Sequence, residues 1–132
     1  MTMLSTYRMG IVTPRNGITA VQQTELREHV EFVAKCVGEL VLVVPGFRLL
    51  TPRASVDGQV RDVADWVVSE GGHADYLPAD KDLPAERLAR LLAPLCDEIV
   101  GLPARGRRPS NPDRVWMLRA HFPRMRIIEH HR

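Results

Sequence analysis

The feature that most constrains this chain is the continuous apolar run "ELVLVV" at 39–44, set between two stretches of helical spacing. A strand with no polar alternation has both faces covered, the usual condition of a strand inside a parallel sheet. Parallel strands need long crossovers, and the flanking sequence supplies them. Before the run, "YRMGIV" (Tyr7 to Val12) reads as a first strand that closes at Thr13-Pro14. A helix then begins at Thr19, with Leu26, Val30, Val33 and Val37 as its buried stripe and Gly38 as its stop. Thr19 and Gln22 stand at the spacing of a capping box, in which each side chain satisfies an orphan backbone N–H.

The alternation continues to the end. After Pro45-Gly46 a long connection leads to a second helix through Val60, Val63, Ala64, Trp66 and Val67, stopped by Gly71-Gly72. "ADYLPAD" gives a third strand. A third helix spans Leu83 to Leu95, with Leu88, Leu91, Leu92 and Leu95 inward and Pro84 in its first turn. "DEIVGLP" gives a fourth strand. Asn111 and Pro112 supply the N-cap and first position of a fourth helix ending by Phe122, before Pro123. "RMRIIEH" gives a last strand. Strict β-α alternation predicts an α/β fold: a three-layer Rossmann-like sandwich of about five mostly parallel strands, helices on both faces, right-handed crossovers. The 132 residues suit one domain, 1–132.

Composition narrows the partners. With 45% hydrophobic and 26% charged residues the chain is neither disordered nor membrane-embedded, and its longest apolar run is far short of a span. The first ten residues carry no secretion-signal pattern, so a cytoplasmic location is expected. Cys36 and Cys96 sit at helix ends among apolar residues and read as buried free thiols; two cysteines are too few for structural zinc, and no metal or cofactor is expected. Net charge is only +2, so nucleic acid stays open as a partner but is disfavoured. Homo-oligomerisation through helices suits the fold, with no interface specified.

In such folds ligands bind beyond the carboxyl ends of the strands, where strand order reverses. The first strand is followed by Arg15, Asn16 and Gly17 at a helix start; the second by Arg48, Arg53, Ser55, Asp57 and Gly58; the fourth by Arg105, Arg107, Arg108, Asn111 and Asp113. Free N–H groups at helix N-termini and arginine forks favour phosphate. The expected ligand-binding set is therefore Arg15, Asn16, Gly17, Ser55, Asp57, Gly58, Arg105, Arg107, Arg108 and Asn111. Asp57 and Asp113 open helices at the same edge and are the carboxylates to nominate for catalysis, although helix caps are the commoner use of such residues.

Residues 15–26, Arg15-Asn16-Gly17-Ile18-Thr19 through Gln22 to Leu26, resemble the R-x-G-[MI]-T-x-x-Q-x-x-x-L start of SLOG-like Rossmannoid domains. That superfamily includes LOG-type cytokinin-activating phosphoribohydrolases, Smf-type DNA-processing proteins and nucleotide-sensing SLOG domains. "CDEIVGLP" at 96–103 resembles its fourth strand. The chain departs from the family where "PGFRLLTPRASVDG" replaces a glycine-rich H-G-x-C-x-G-A-D turn and "ARGRRPSNPD" replaces a G-G or G-T element. The P-G-G-x-G-T-x-x-E motif of the hydrolases is absent. Arginine in place of glycine moves contact from backbone to side chain, which implies an altered ligand or a lost activity.

The resemblance and the loop chemistry together imply binding of a nucleotide or nucleotide-derived small molecule. The alternatives are an N-glycosidic hydrolase or transferase acting on nucleoside phosphates, with Asp57 and Asp113 as its carboxylates, and a non-catalytic protein or nucleic-acid interaction module.

Overall fold

The computed structural model describes residues 5–14, 17–46, 56–79, 83–130. Strand β1 (Thr6–Val12) leads into helix α1 (Ala20–Cys36), then β2 (Glu39–Gly46), α2 (Gly58–Ser69), β3 (His73–Pro78), α3 (Ala85–Leu92), β4 (Glu98–Gly101), α4 (Arg114–Leu118) and β5 (Arg126–Ile127). The five strands form one sheet in the order β3-β2-β1-β4-β5, with every pair parallel. The expected α/β architecture is what the chain builds. Strand order reverses between β1 and β4: the chain steps outward from β1 through β2 to β3, then returns to the other side of β1.

Two apolar layers hold the helices to the sheet. On one face, Leu26, Val30 and Val33 of α1 and Val60, Val63, Ala64 and Val67 of α2 pack on Met9, Ile11, Leu40, Leu42, Val44 and Val100. On the other, Ala85, Leu88, Ala89 and Leu92 of α3 with Val115 and Leu118 of α4 pack on Val12, Val41, Val43 and Ile99. Leu40, Leu42 and Val44 belong to the first layer and Val41 and Val43 to the second, which is why this strand carries no polar alternation. Burying side chains of this kind contributes about 1.5–3 kcal/mol each. Among the described residues, no helix is long and apolar enough to cross a membrane.

Several boundaries differ from expectation. Helix α3 ends at Leu92 rather than Leu95, and Pro84 is its N-cap rather than a first-turn residue. Helix α4 is five residues long and is capped by Asp113. Asn111 is not the cap because its backbone pairs with Arg108 across a tight turn, which leaves Asp113 as the side chain that reaches the helix N–H. The last strand is confined to Arg126–Ile127, the two residues that register against Val100 and Gly101. Cys36 is exposed, contrary to the expected buried thiol, because it falls off the Leu26-Val30-Val33 stripe; Cys96 is half-buried, and burial pushes its thiol up to about 11. Both cysteines are free.

Candidate functional site

The carboxyl edge beside the β1–β4 reversal is assembled from three loops. The first follows β1. Thr19 closes it by accepting from Gln22 N at 3.2 Å, while Gln22 Oε1 accepts from Thr19 N at 2.9 Å, so the capping box read from the sequence is formed. Gly17 N donates to Pro14 O at 3.3 Å, and Gly17 has φ +87, a left-handed conformation open to glycine at little cost. A methyl group on Gly17 would collide with the Asp57 carboxylate. Loops one and two are therefore in direct contact at this point.

Asp57 caps α2, its Oδ1 accepting from Gln59 N at 2.8 Å. Its Oδ2 faces Gly17 and accepts no hydrogen bond among the described residues. Gln59 ties the two loops together again: its Nε2 donates to Ile18 O at 2.6 Å, and its carbonyl accepts from Gln23 Nε2 at 3.1 Å. Gly58 is exposed, and a side chain there would make only an ordinary 3.5 Å contact with Arg61, so packing does not require glycine.

Loop four is compact rather than a loose basic segment. One turn runs from Ala104 to Arg107, closed by Arg107 N donating to Ala104 O at 3.1 Å, with Gly106 at φ +79. A second runs from Arg108 to Asn111, where Asn111 N donates to Arg108 O at 2.9 Å. Asp113 anchors both ends of the loop: Oδ1 accepts from Trp116 N at 3.0 Å and Oδ2 from Ala104 N at 2.8 Å. Trp116 is buried and donates from Nε1 to Arg107 O at 2.9 Å. Arg107 turns back on its own loop, with Nη2 donating to Pro112 O at 3.0 Å. Its Nε is buried without a hydrogen-bond partner among the described residues. Arg105, Arg108 and Asn111 are exposed.

The nominated residues thus divide by what already occupies them. Gly17 and Asp57 meet. Asp113 spends both carboxylate oxygens on backbone amides of its own loop and helix. Arg107 is an internal brace, whereas Arg105 and Arg108 are exposed. Arg15, Asn16 and Ser55 lie outside the described residues.

One residue has a wider reach than its cap suggested. Gln22 is 1% exposed, and its Nε2 donates to Pro103 O at 2.8 Å and Ile128 O at 3.0 Å. A second cluster, which sequence spacing did not reveal, lies away from this edge, near the amino end of β4. Glu98 accepts from Tyr7 Oη at 2.9 Å, lies 2.8 Å from His29 Nε2, and has Arg126 Nε at 3.8 Å. Burial pushes the Glu98 carboxyl up, but the His29 and Tyr7 hydrogen bonds and the charges of His29 and Arg126 more than offset it, so the net shift is down. Tyr7 is pushed up to about 12 by burial and by the hydrogen bond to Glu98. These partners come from α1, β1, β4 and β5 and share no local motif. Beside them an open groove of about 620 Å³ is lined by Glu25, Glu28, His29, Phe32, Arg126 and Ile128. A further cavity of about 310 Å³ lies at the amino end of β4, against Cys96, Phe122 and Met125. Among the described residues no group of three or more His, Cys, Asp or Glu side chains is placed to hold a metal ion.

The fold and its carboxyl edge define a Rossmann-like α/β domain. A solved universal stress protein from Archaeoglobus fulgidus is similar over 95% of this chain and 98% of its own, with a TM-score of 0.51 and 12% identity, a likeness that speaks to the fold. No family model and no curated protein sequence matches the chain.

Proposed function

We propose that this protein binds a nucleotide or a nucleotide-derived small molecule at the carboxyl edge of its sheet, as a SLOG-like domain of altered ligand preference. The observation that carries the reading is the contact of Gly17 with Asp57 beside the β1–β4 reversal. Because Gly17 carries no side chain, the Asp57 carboxylate reaches the backbone of loop one, and a ligand at this point would meet both loops together. The three helix starts at this edge are not equivalent. Those of α2 and α4 already hold carboxylates, Asp57 and Asp113, whereas α1 is capped by the neutral pair Thr19 and Gln22. The phosphate is therefore assigned to the start of α1, whose own cap carries no negative charge, while the Asp57 carboxylate against Gly17 is left to an uncharged donor of the ligand. Asp57 Oδ2 is suited to accept from a ligand hydroxyl or amino group, and Arg105 and Arg108 add positive charge from loop four.

Thermal denaturation of the full chain with nucleoside monophosphates, dinucleotides and cyclic nucleotides tests this reading. A ligand at one hundred times its Kd raises stability by about 2.7 kcal/mol. No upward shift from any of these ligands at millimolar concentration rejects it.

A second reading, cleavage of an N-glycosidic bond, is favoured by one detail: among the described residues Asp57 Oδ2 accepts no hydrogen bond. Asp113, with both oxygens bound to amides, is then a cap and not a reacting group. Release of free base from nucleoside monophosphates, lost in Asp57→Asn, is its signature; no release with the wild-type chain excludes it.

A further inference from the structure

The buried amide of Gln22 joins three segments that sequence alone keeps apart. Its Oε1 accepts from Thr19 N at the start of α1. Its two Nε2 hydrogens go to Pro103 O, at the start of loop four, and to Ile128 O, just after β5. Both acceptors are fixed to the sheet by neighbouring bonds: Leu102 N donates to Val12 O at 2.9 Å and Ile128 N to Gly101 O at 2.9 Å. Loop four continues from Pro103 directly to Ala104, whose N–H is held by Asp113. A capping box needs only the Gln22 carbonyl oxygen and would be as well served by Glu. The two donors do something a cap does not require.

We propose that Gln22 is the positioning residue of the carboxyl edge, holding loop four and the segment after β5 in fixed register with the first turn of α1. This rests on the reading of that edge as a ligand site. Loop one, which would meet a phosphate, and loop four, which would bring Arg105 and Arg108, are then registered through one side chain. A change in either loop is felt by the other and by residues 128–130. The amide fits this part because both its donors and its carbonyl oxygen are occupied, so it cannot shift toward one segment without releasing another.

Hydrogen exchange by NMR on the ligand-free chain tests the coupling. The reporter is Gln23 N–H, which donates to Thr19 O at 2.9 Å; it is peptide-bonded to residue 22 and remote from Asp113, so the effect of changing Asp113 is compared within each residue-22 background. Asp113→Ala frees the Ala104 end of loop four. With Gln22 present, it is expected to speed exchange at Gln23 by about fivefold, a typical coupling between linked sites. In the Gln22→Met background the same substitution is expected to change that rate by less than about twofold. A response of similar size in both backgrounds, or none with Gln22 present, overturns the proposal. If Gln22→Met does not fold, Asp113→Asn in the otherwise native chain decides: displaced resonances of the Gln22 side-chain amide and Gln23 N–H support the coupling, and unmoved ones overturn it. Binding of adenosine 5′-monophosphate to the native chain is scored separately, so its absence removes the nucleotide reading while the ligand-free result stands.

Discussion

Gly17 and Asp57 meet across two loops: the left-handed backbone of the first lies against Oδ2 of the second. Each residue has a local role, but neither segment alone explains why the two meet. Asp57 would cap α2 with any neighbour, and a glycine turn needs no carboxylate beside it. Their contact makes each a constraint on the other, and it joins the connections that leave the neighbouring strands β1 and β2.

Gly17→Ala is expected to destabilise the chain for two separable reasons. The left-handed backbone costs a residue with a Cβ about 1–2 kcal/mol, and the new methyl meets the Asp57 carboxylate. Asp57→Ala removes the second cost but not the first. Urea unfolding should therefore find Gly17→Ala/Asp57→Ala less destabilised than the sum of the single variants. Strict additivity means that the two residues do not press on each other in solution.

The two aspartates should separate cleanly. Asn caps a helix about as well as Asp, so Asp57→Asn is expected to leave stability within about 0.5 kcal/mol. Asp113→Ala loses the α4 cap and also frees Ala104 N, a cost of about 1–3 kcal/mol. In a nucleotide titration, Asp57→Asn weakens binding without a change in the unfolding midpoint. Equal midpoints for both variants contradict the structural part given to Asp113.

The Tyr7–Glu98–His29 cluster predicts an acid-side loss of stability. The folded pKa of Glu98 lies below its unfolded value of about 4.3. Its contribution is therefore complete above that value and disappears as pH falls through the lower folded one. Tyr7 acts at the other extreme. Raised to about 12, it favours the folded state below its unfolded value near 10, and that advantage is lost as pH climbs from about 10 to 12. Glu98→Gln should cost about 1.5–3 kcal/mol at neutral pH, the range of hydrogen bonds to charged groups. The gap from wild type should close below about pH 4. Melting curves from pH 2 to 7 check this, and a gap constant across that range refutes it.

What could be read from the sequence follows from how far apart the cooperating residues lie. Thr19 and Gln22 are three positions apart, so their mutual cap is a local pattern. The Gln22 bonds to Pro103 and Ile128 span 81 and 106 positions, and a capping signature contains nothing of them. The strand alternation was legible because "ELVLVV" must be covered on both faces, and so was the edge where loops gather. Asn111-Pro112 carries a strong local cap signal, yet the Arg108–Asn111 turn claims Asn111 and passes the task to Asp113. The same turn chemistry folds Arg107 inward. A run of arginines therefore contains both a brace and open charges, and only the tertiary structure tells them apart.

That division yields the sharpest test of loop four. Arg105 and Arg108 are exposed, so Arg105→Ala/Arg108→Ala should leave stability within about 0.5 kcal/mol. Arg107 is half-buried, donates to Pro112 O and lies beside the Trp116 bond. Arg107→Ala should cost about 1–2 kcal/mol through lost packing and a lost hydrogen bond. Binding should show the reverse order for the directly measured affinity. At low ionic strength the double variant is expected to weaken adenosine 5′-monophosphate binding by about fivefold, the upper end for exposed charge pairs. At about 1 M salt, where the screening length is near 3 Å, that difference should nearly vanish. Calorimetric titration at two salt concentrations measures both quantities. If removing Arg105 and Arg108 changes affinity equally at low and high salt, their part is not electrostatic and the arginine loop is not a phosphate contact.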